Sequence, residues 1–295
     1  MNTYIVTNWT WQNGNPDFYG WFHLLWIFIT IAISFVLCRF VASKHNPKID
    51  DIVIFSFGAY LIAIEIYKEV FNVLIKGYYP MNIFPFQYCS VPMYIAFIAP
   101  LIKNKLVKDA CYKFIAFIGF LGGLAVMVYP VTIKWTPYIT MANHTLSWHS
   151  VLIIMGVYLM AARNYGVNYL SDLIESFSVF AILALLAQIL NISIYNIYLN
   201  NPELNTHNEM MNLFSFSPYY PTYIPIADFI KNKSFLIYFF GYISVIFVAV
   251  SIIWLVFSHT KAKLDLKFPH LAYLKPIEDE EEEKAYSAPS NKESL

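Results

Sequence analysis

The feature that most constrains this chain is a series of long, nearly uninterrupted apolar stretches. A helix that crosses a bilayer needs about 20 mostly apolar residues. Seven stretches of roughly that length occur, at residues 20–41, 52–75, 81–102, 111–133, 144–162, 173–199 and 235–258. Composition agrees, because only 13% of the 295 residues are charged, where a soluble protein has about 25%. We therefore predict an all-α membrane protein that forms a bundle of seven transmembrane helices.

Lysine and arginine in the connecting segments predict its orientation, since cytoplasmic loops are enriched in both. One set of connections carries Arg39, Lys44, Lys48, Lys103, Lys105, Lys108, Arg163, Lys261, Lys263 and Lys267. The opposite set carries only Lys76, Lys134, Lys231 and Lys233. The richer set is assigned to the cytoplasm, which places the N-terminus outside, the C-terminus inside and the protein in the cell membrane.

Segments on either side of the bundle complete the predicted organisation. Residues 1–19 form a short external segment, and residues 20–260 form the membrane domain. Residues 261–295 contain the run EDEEEE and are expected to be a disordered cytoplasmic tail, because such a sequence has no core to bury. The external loop 200–233 is long and rich in proline and tyrosine, which suits either a lid or a plain interfacial segment.

Polar residues inside the apolar stretches mark the candidate site, because they are costly in a membrane. The set comprises Glu65, Lys68, Glu69, Gln87, Cys89, His149, Gln188 and Asn191. Counted at the helical rise, they lie ~7–16 Å below the outer helix ends, while the inner halves look nearly all apolar. A common depth predicts one polar pocket that opens toward the outer face of the membrane.

Each polar group also has a structural interpretation. Glu65, Lys68 and Glu69 lie on one helix face at i, i+3 and i+4, so they could simply neutralise one another. Gln188 and Asn191 are also typical of hydrogen bonds between membrane helices. A buried cysteine such as Cys89 is commonly a packing residue.

Three classes of partner are not expected. The formal net charge is zero, so no strongly basic field favours nucleic acid. The ligand spacings of zinc sites are missing. No metal or cofactor is predicted, and membrane lipids are the expected partners.

Short motifs resemble a known family. The third stretch reads Pro85-Phe86-Gln87-Tyr88-Cys89-Ser90 and the fifth Trp148-His149-Ser150. With the seven-helix layout and Glu65, these resemble the YwaF-type integral membrane proteins of bacteria. Those proteins are similar to a eukaryotic seven-helix transmembrane acyltransferase and, more distantly, to androgen-induced membrane hydrolases of branched fatty acid esters.

The resemblance assigns some roles and leaves others open. It implies a lipid acyl substrate and a catalytic base at His149. In the bacterial pattern a histidine stands where this chain has Gln87, and in the acyltransferase the reactive cysteine stands where this chain has Phe86. The nucleophile is therefore not carried over by the motif.

The leading hypothesis is a lipid acyltransferase or hydrolase that acts on outer-leaflet acyl chains. His149 is the expected base and Cys89 the nucleophile, a pairing that suits acyl chemistry, with Ser90 a weaker candidate. Glu65 or Glu69 would orient His149, as the third member of a triad does.

The remaining polar residues of the set would bind substrate in this hypothesis. Lys68 and Gln87 would hold a headgroup phosphate or an oxyanion, and Glu69, Gln188 and Asn191 would line the pocket. The alternatives are a transporter or binding protein for a lipid or small solute, and a scaffold that recruits a partner through its acidic tail.

Overall fold

The computed structural model describes residues 17–44, 46–130, 136–166, 170–205, 211–217 and 235–267. Within these ranges the chain is helical and contains no β-strand. Its main helices are α1 Trp21–Phe40, α2 Pro47–Lys76, α3 Val91–Ile98, α4 Lys105–Val128, α5 Ile139–Ala162, α6 Leu170–Asn200 and α7 Phe235–Lys267. A π-helical turn at Ile115–Gly119 lies within α4.

Five helical segments of the described chain are long and apolar enough to cross a membrane. They are Trp21–Lys44, Lys105–Val128, Ile139–Ala162, Leu170–Asn200 and Leu236–Thr260. The protein is therefore an all-helical, multi-pass membrane protein. Helix α2 has 30 residues but carries a charged triplet in its apolar run, and α3 has only eight. A total of seven spans and the orientation of the termini stay predictions.

The third apolar stretch is not the continuous helix predicted for residues 81–102. It consists of a 3-10 turn at Met81–Ile83, an irregular segment, helix α3 and a second 3-10 turn at Ala99–Leu101. Prolines explain the break, because they lack the N–H that a helix interior requires. Residues 84–90, the motif segment, thus run as irregular backbone, which inside a membrane is tolerated only where protein or a cavity surrounds it.

Helix α5 lies at the centre of the bundle. In the most apolar part of α5, 78% of the residues are buried, whereas only 6% are buried in the most apolar part of α1. Glycine permits a close approach to α5, since a Cβ on Gly123 of α4 would lie 2.7 Å from the backbone oxygen of His149. Close contact through small residues is typical of membrane helices, which associate by van der Waals packing.

Local signals at both ends fix the length of α2. The Asn46 side chain accepts a hydrogen bond from the Lys48 N–H, and Gly77 ends α2 in the left-handed region at φ 77°. Helix α5 begins at Ile139, five residues earlier than the predicted stretch. His144 therefore lies inside the helix rather than at its edge.

Part of the predicted external loop folds back into the bundle. We call residues 211–217 the buried loop, because Phe214 and Phe216 are both completely buried. Phe214 and Ser215 have positive φ angles, which is uncommon for residues other than glycine. Residues 1–16, 206–210, 218–234 and 268–295 lie outside the described residues, so the N-terminal segment, most of the loop and the acidic tail stay predictions.

Candidate functional site

The charged triplet of α2 forms a compact cluster. Lys68 Nζ lies 2.5 Å from Glu65 Oε1 and 3.2 Å from Glu69 Oε1. The same ammonium donates a 3.2 Å hydrogen bond to the backbone oxygen of Ile83, so its three donors all have acceptors. Tyr79 lies nearby, in the turn after α2. Its burial raises the pKa of its hydroxyl, and the Glu69 carboxylate raises this pKa further.

The histidine that meets this cluster is His144, which sequence reasoning missed. Its Nε2 lies 3.5 Å from Glu65 Oε2. The predicted partner of Glu65 was His149, but no hydrogen bond or ion pair joins those two residues in the described chain. Because the fifth stretch was expected to begin at His144, that residue was treated as a helix end. The sequence could have indicated this, because no glycine or proline lies between Pro137 and His144 to prevent the helix from beginning earlier.

His149 is oriented by its own helix instead. Its Nδ1 lies 2.7 Å from the Thr145 backbone oxygen, and a carbonyl oxygen only accepts, so Nδ1 carries the proton. The lone pair is then on Nε2, which is buried without a hydrogen-bond partner among the described residues. This arrangement holds a neutral imidazole with its basic nitrogen unengaged.

The motif segment packs against α4 and α5. Trp148 Nε1 donates a 3.0 Å hydrogen bond to the Cys89 backbone oxygen, which fastens the segment beside the residue that precedes His149. A Cβ at Gly122 of α4 would lie 3.6 Å from Cys89 Cβ. Ser90 is buried at the start of α3. The Cys89 thiol and His149 therefore belong to neighbouring elements, although no hydrogen bond joins them in the described chain.

Two further predicted residues hold the buried loop. Asn191 accepts from the Leu213 N–H at 2.8 Å and donates to the Leu213 carbonyl at 3.0 Å. Gln87 donates to the Asn212 carbonyl at 3.0 Å. Gln188 differs from both, because its buried amide has no hydrogen-bond partner among the described residues for either Nε2 or Oε1.

A second charged network lies at the other end of α2, which we call the Asp50 end; the end at the triplet is the Glu65 end. Counted along α2, the two are about 22 Å apart. At the Asp50 end, tyrosine hydroxyls donate from Tyr158 to Asp50, from Tyr112 to Asp51 and from Tyr165 to Asp109. Cations pair with the carboxylates. Arg163 Nε lies 2.7 Å from Asp50 Oδ2, and Lys108 Nζ lies 2.7 Å from Asp51 Oδ2. Lys113 Nζ lies 2.9 Å from both Asp172 Oδ1 and Glu175 Oε2.

The sequence pattern did not single out the buried charges of this network. Asp50 is 2% exposed, Asp172 5% and Lys113 7%, so these charges are inside the bundle. They occupy helix ends, where the sequence pattern makes them look like connection residues. The packing of α2, α4, α5 and α6 turns them inward, where each requires a partner.

The structure thus divides the predicted set into separate groups. Glu65, Lys68 and Glu69 meet with His144, while Gln87 and Asn191 meet at the buried loop. Cys89 and His149 are linked through Trp148. Among the described residues, no three histidine, cysteine or acidic side chains are placed to hold a metal ion.

The protein is thus a multi-pass membrane bundle of helices that holds several separate polar clusters in its interior. The model of the TMEM164 family matches residues 18–239, which is most of the chain. The chain belongs to the TMEM164 family. No curated protein and no solved structure matches it.

Proposed function

We propose that the protein is a membrane-embedded enzyme that transfers or hydrolyses lipid acyl chains, with His149 as general base and Cys89 as nucleophile. One observation carries the proposal: the basic Nε2 of His149 is buried and has no hydrogen-bond partner in the described chain. A buried acceptor without a donor is costly, so its presence needs an explanation, and a catalytic role is one such explanation.

The chemistry follows from these two groups. His149 Nε2 takes the thiol proton of Cys89, and the sulfur forms a bond to an ester carbonyl carbon of the lipid. The ester C–O bond breaks, the leaving oxygen takes the proton from His149, and the acyl group remains on sulfur as a thioester. A lysolipid hydroxyl, or water, then attacks the thioester and restores the thiol.

The surroundings of Cys89 support the proposal. The motif segment is irregular backbone rather than helix, and backbone N–H groups are the kind of donor that stabilises an oxyanion. The Trp148 hydrogen bond keeps the segment against α5, one residue from His149. Catalytic hydrogen bonds commonly tighten only once substrate is bound, so a thiol–imidazole contact is expected in the complex.

The supporting roles assigned from sequence change with the contacts. The Thr145 carbonyl, not Glu65, orients His149. To bind a headgroup phosphate, Lys68 would have to lose its contact with Glu65, Glu69 or the Ile83 carbonyl. Gln188 has both amide atoms available, which makes it the stronger polar contact for a substrate ester.

Transport of a lipid or small solute is the less supported function. A continuous water path would need polar groups between the Glu65 end and the Asp50 end. Ile54, Gly58 and Leu61 form the buried face of α2 along this interval. Substrate uptake into proteoliposomes that depends on Glu65 and not on Cys89 would favour transport.

The proposal is tested by acyl turnover of the purified protein in lipid bilayers. Labelled phospholipid and lysophospholipid are supplied, and both acyl transfer and fatty acid release are followed. Cys89→Ala and His149→Ala should each lower turnover by about 10²-fold or more. Cys38→Ala and Cys111→Ala are matched controls, because both are half-buried free cysteines like Cys89. Equal turnover in wild type and the Cys89 and His149 variants would refute the mechanism.

A further inference from the structure

A lateral groove lies between α1 and α2, with α5 as its floor. It extends from Trp26 to Leu37 on α1 and from Ile52 to Tyr60 on α2. Its floor is the α5 face that includes Ser147, Ser150, Val151 and Ile154. Helix α1, which forms one wall, is the most exposed of the candidate spans, so the groove faces the surface that lipid covers.

The size of the groove suits one lipid chain. Its volume is about 540 Å³, within the range of ligand sites in proteins. Along α1 the lining covers about 16 Å at the helical rise. The hydrocarbon core of a bilayer is about 30 Å thick, so the groove is as deep as one leaflet.

The serine hydroxyls of the lining are already paired, which disfavours a polar occupant. The Ser56 hydroxyl donates to the Ile52 carbonyl at 2.8 Å, and the Ser147 hydroxyl to the His144 carbonyl at 3.0 Å. Thr30 Oγ1 lies 2.7 Å from Ser150 Oγ, so each of these hydroxyls already has a partner. Water requires two to four polar partners, whereas a filled apolar groove needs only van der Waals contact.

Basic residues lie where the groove reaches the Asp50 end. Arg39 is in the last turn of α1, Lys44 in the following 3-10 turn and Lys48 at the start of α2, and all three are exposed. Leu37 and Ile52, which end the groove on this side, are near neighbours of these cations in sequence. Clustered lysine and arginine next to a membrane helix attract anionic lipid headgroups.

The groove is separate from the proposed catalytic groups. At 100° per residue, His149 points about 150° away from the centre of the α5 face that forms the floor. The contacts agree, because Gly123 of α4 approaches the His149 backbone and Trp148 bonds the motif segment. A chain in the groove therefore does not lie at His149.

We propose that this groove is a binding site for one acyl chain of an anionic phospholipid from the leaflet at the Asp50 end, with its phosphate beside Arg39, Lys44 and Lys48. The bound lipid is resident rather than reacting. It fills the space that α1 and α2 leave open above α5 and thereby supports the packing of α1. The inference does not depend on acyl chemistry at Cys89.

The test is photocrosslinking in phosphatidylcholine bilayers that contain a minor fraction of phosphatidylglycerol with a diazirine on its acyl chain. Labelled peptides are identified by mass spectrometry. Labelling should saturate with probe and map to the groove residues of α1 and α2. A phosphatidylcholine probe and a free fatty acid probe, each with the same diazirine, should label these peptides more weakly than phosphatidylglycerol does.

Two matched variants test the site itself. Ser56 lines the groove, and Ser178 lies on the exposed face of α6; both are exposed and donate to a carbonyl four residues earlier. Ser56→Trp places a ring where the chain lies and should reduce groove labelling about tenfold, because the chain loses its contacts. Ser178→Trp should leave it unchanged, as should His149→Ala.

Several results would overturn the proposal. One is groove labelling that does not saturate or is no stronger than labelling of the exposed face of α6. Others are undiminished labelling of Ser56→Trp, or labelling by the free fatty acid probe alone. Replacing Arg39, Lys44 and Lys48 together by glutamine should abolish the preference for phosphatidylglycerol over phosphatidylcholine, and a retained preference would contradict the headgroup assignment. Acyl turnover plays no part in these readouts, so failure of the catalytic proposal would be seen separately.

Discussion

The Asp50 end and the region around His149 differ in whether their buried polar groups have hydrogen-bond partners. At the Asp50 end, Asp50 itself accepts from the Tyr158 hydroxyl and from Arg163 Nε at 2.6 and 2.7 Å. By contrast, His149 Nε2 has no partner among the described residues, and neither has either amide atom of Gln188, which lies one turn before Asn191 on α6. A fully paired network stabilises a fold, whereas unpaired buried groups are retained where a ligand will pair them.

The strongest expected effect comes from breaking the paired network at Asp50. Asp50→Asn keeps the shape but removes the charge that faces Arg163, whose side chain is only 16% exposed. Breaking a buried ion pair from one side costs about 3–5 kcal/mol, so the free energy of unfolding should fall by that order. Thermal unfolding in detergent measures it. Lys48→Gln on the same helix is the control, and equal melting temperatures would contradict this structural role.

A smaller loss is expected at the buried loop. Asn191→Leu leaves the Leu213 N–H unpaired inside the bundle and removes one of two hydrogen bonds to the Leu213 carbonyl, which still accepts from the Phe216 N–H. A buried donor left without its hydrogen bond costs about 1–3 kcal/mol, so the free energy of unfolding should fall by about that amount. Asn201→Leu, which removes an exposed bond to Ile197, should change stability by less than about 0.5 kcal/mol. If both variants unfold at the same temperature, the buried loop does not depend on Asn191.

Gln188 should respond in the reverse direction. Gln188→Met removes two unpaired polar atoms and keeps the volume, so stability should rise by about 1 kcal/mol. If Gln188 binds a substrate ester, acyl turnover should fall in the same variant, a separation typical of functional sites. A variant that is both less stable and fully active would show that the amide has a structural partner.

The comparison also shows which features can be read from sequence. Apolar runs of about 20 residues predicted a multi-pass helical protein because hydrocarbon permits few alternatives. The polar set was found by the same physics, since Glu65 and Asn191 are expensive in that medium. Prolines 85 and 92 were visible as well, but their effect on residues 81–102 was underestimated because the run remained apolar.

The contacts between side chains could not be predicted from the sequence, because they depend on how each helix is rotated about its axis and on where the chain folds back into the bundle. The predicted depth in the membrane indicated that a histidine lies near Glu65, but it did not distinguish His149 from His144. His144 lies five residues earlier and on another face of α5. The buried loop was unexpected for a similar reason. Its partners, Gln87 and Asn191, are distant in sequence from Asn212 and Leu213, and no local pattern links them.

The smallest expected effect separates these two histidines. His144 Nε2 lies 3.5 Å from Glu65 Oε2, which is too long for a strong hydrogen bond, so His144→Gln should change stability by less than about 1 kcal/mol. Its acyl turnover should stay near that of wild type, while His149→Gln, which has no basic nitrogen, should be inactive. Measured side by side in the same bilayers, the two variants assign the base. Loss of turnover in His144→Gln with retention in His149→Gln would move the chemistry to the Glu65 end, because the base would then be the imidazole that contacts the buried carboxylate.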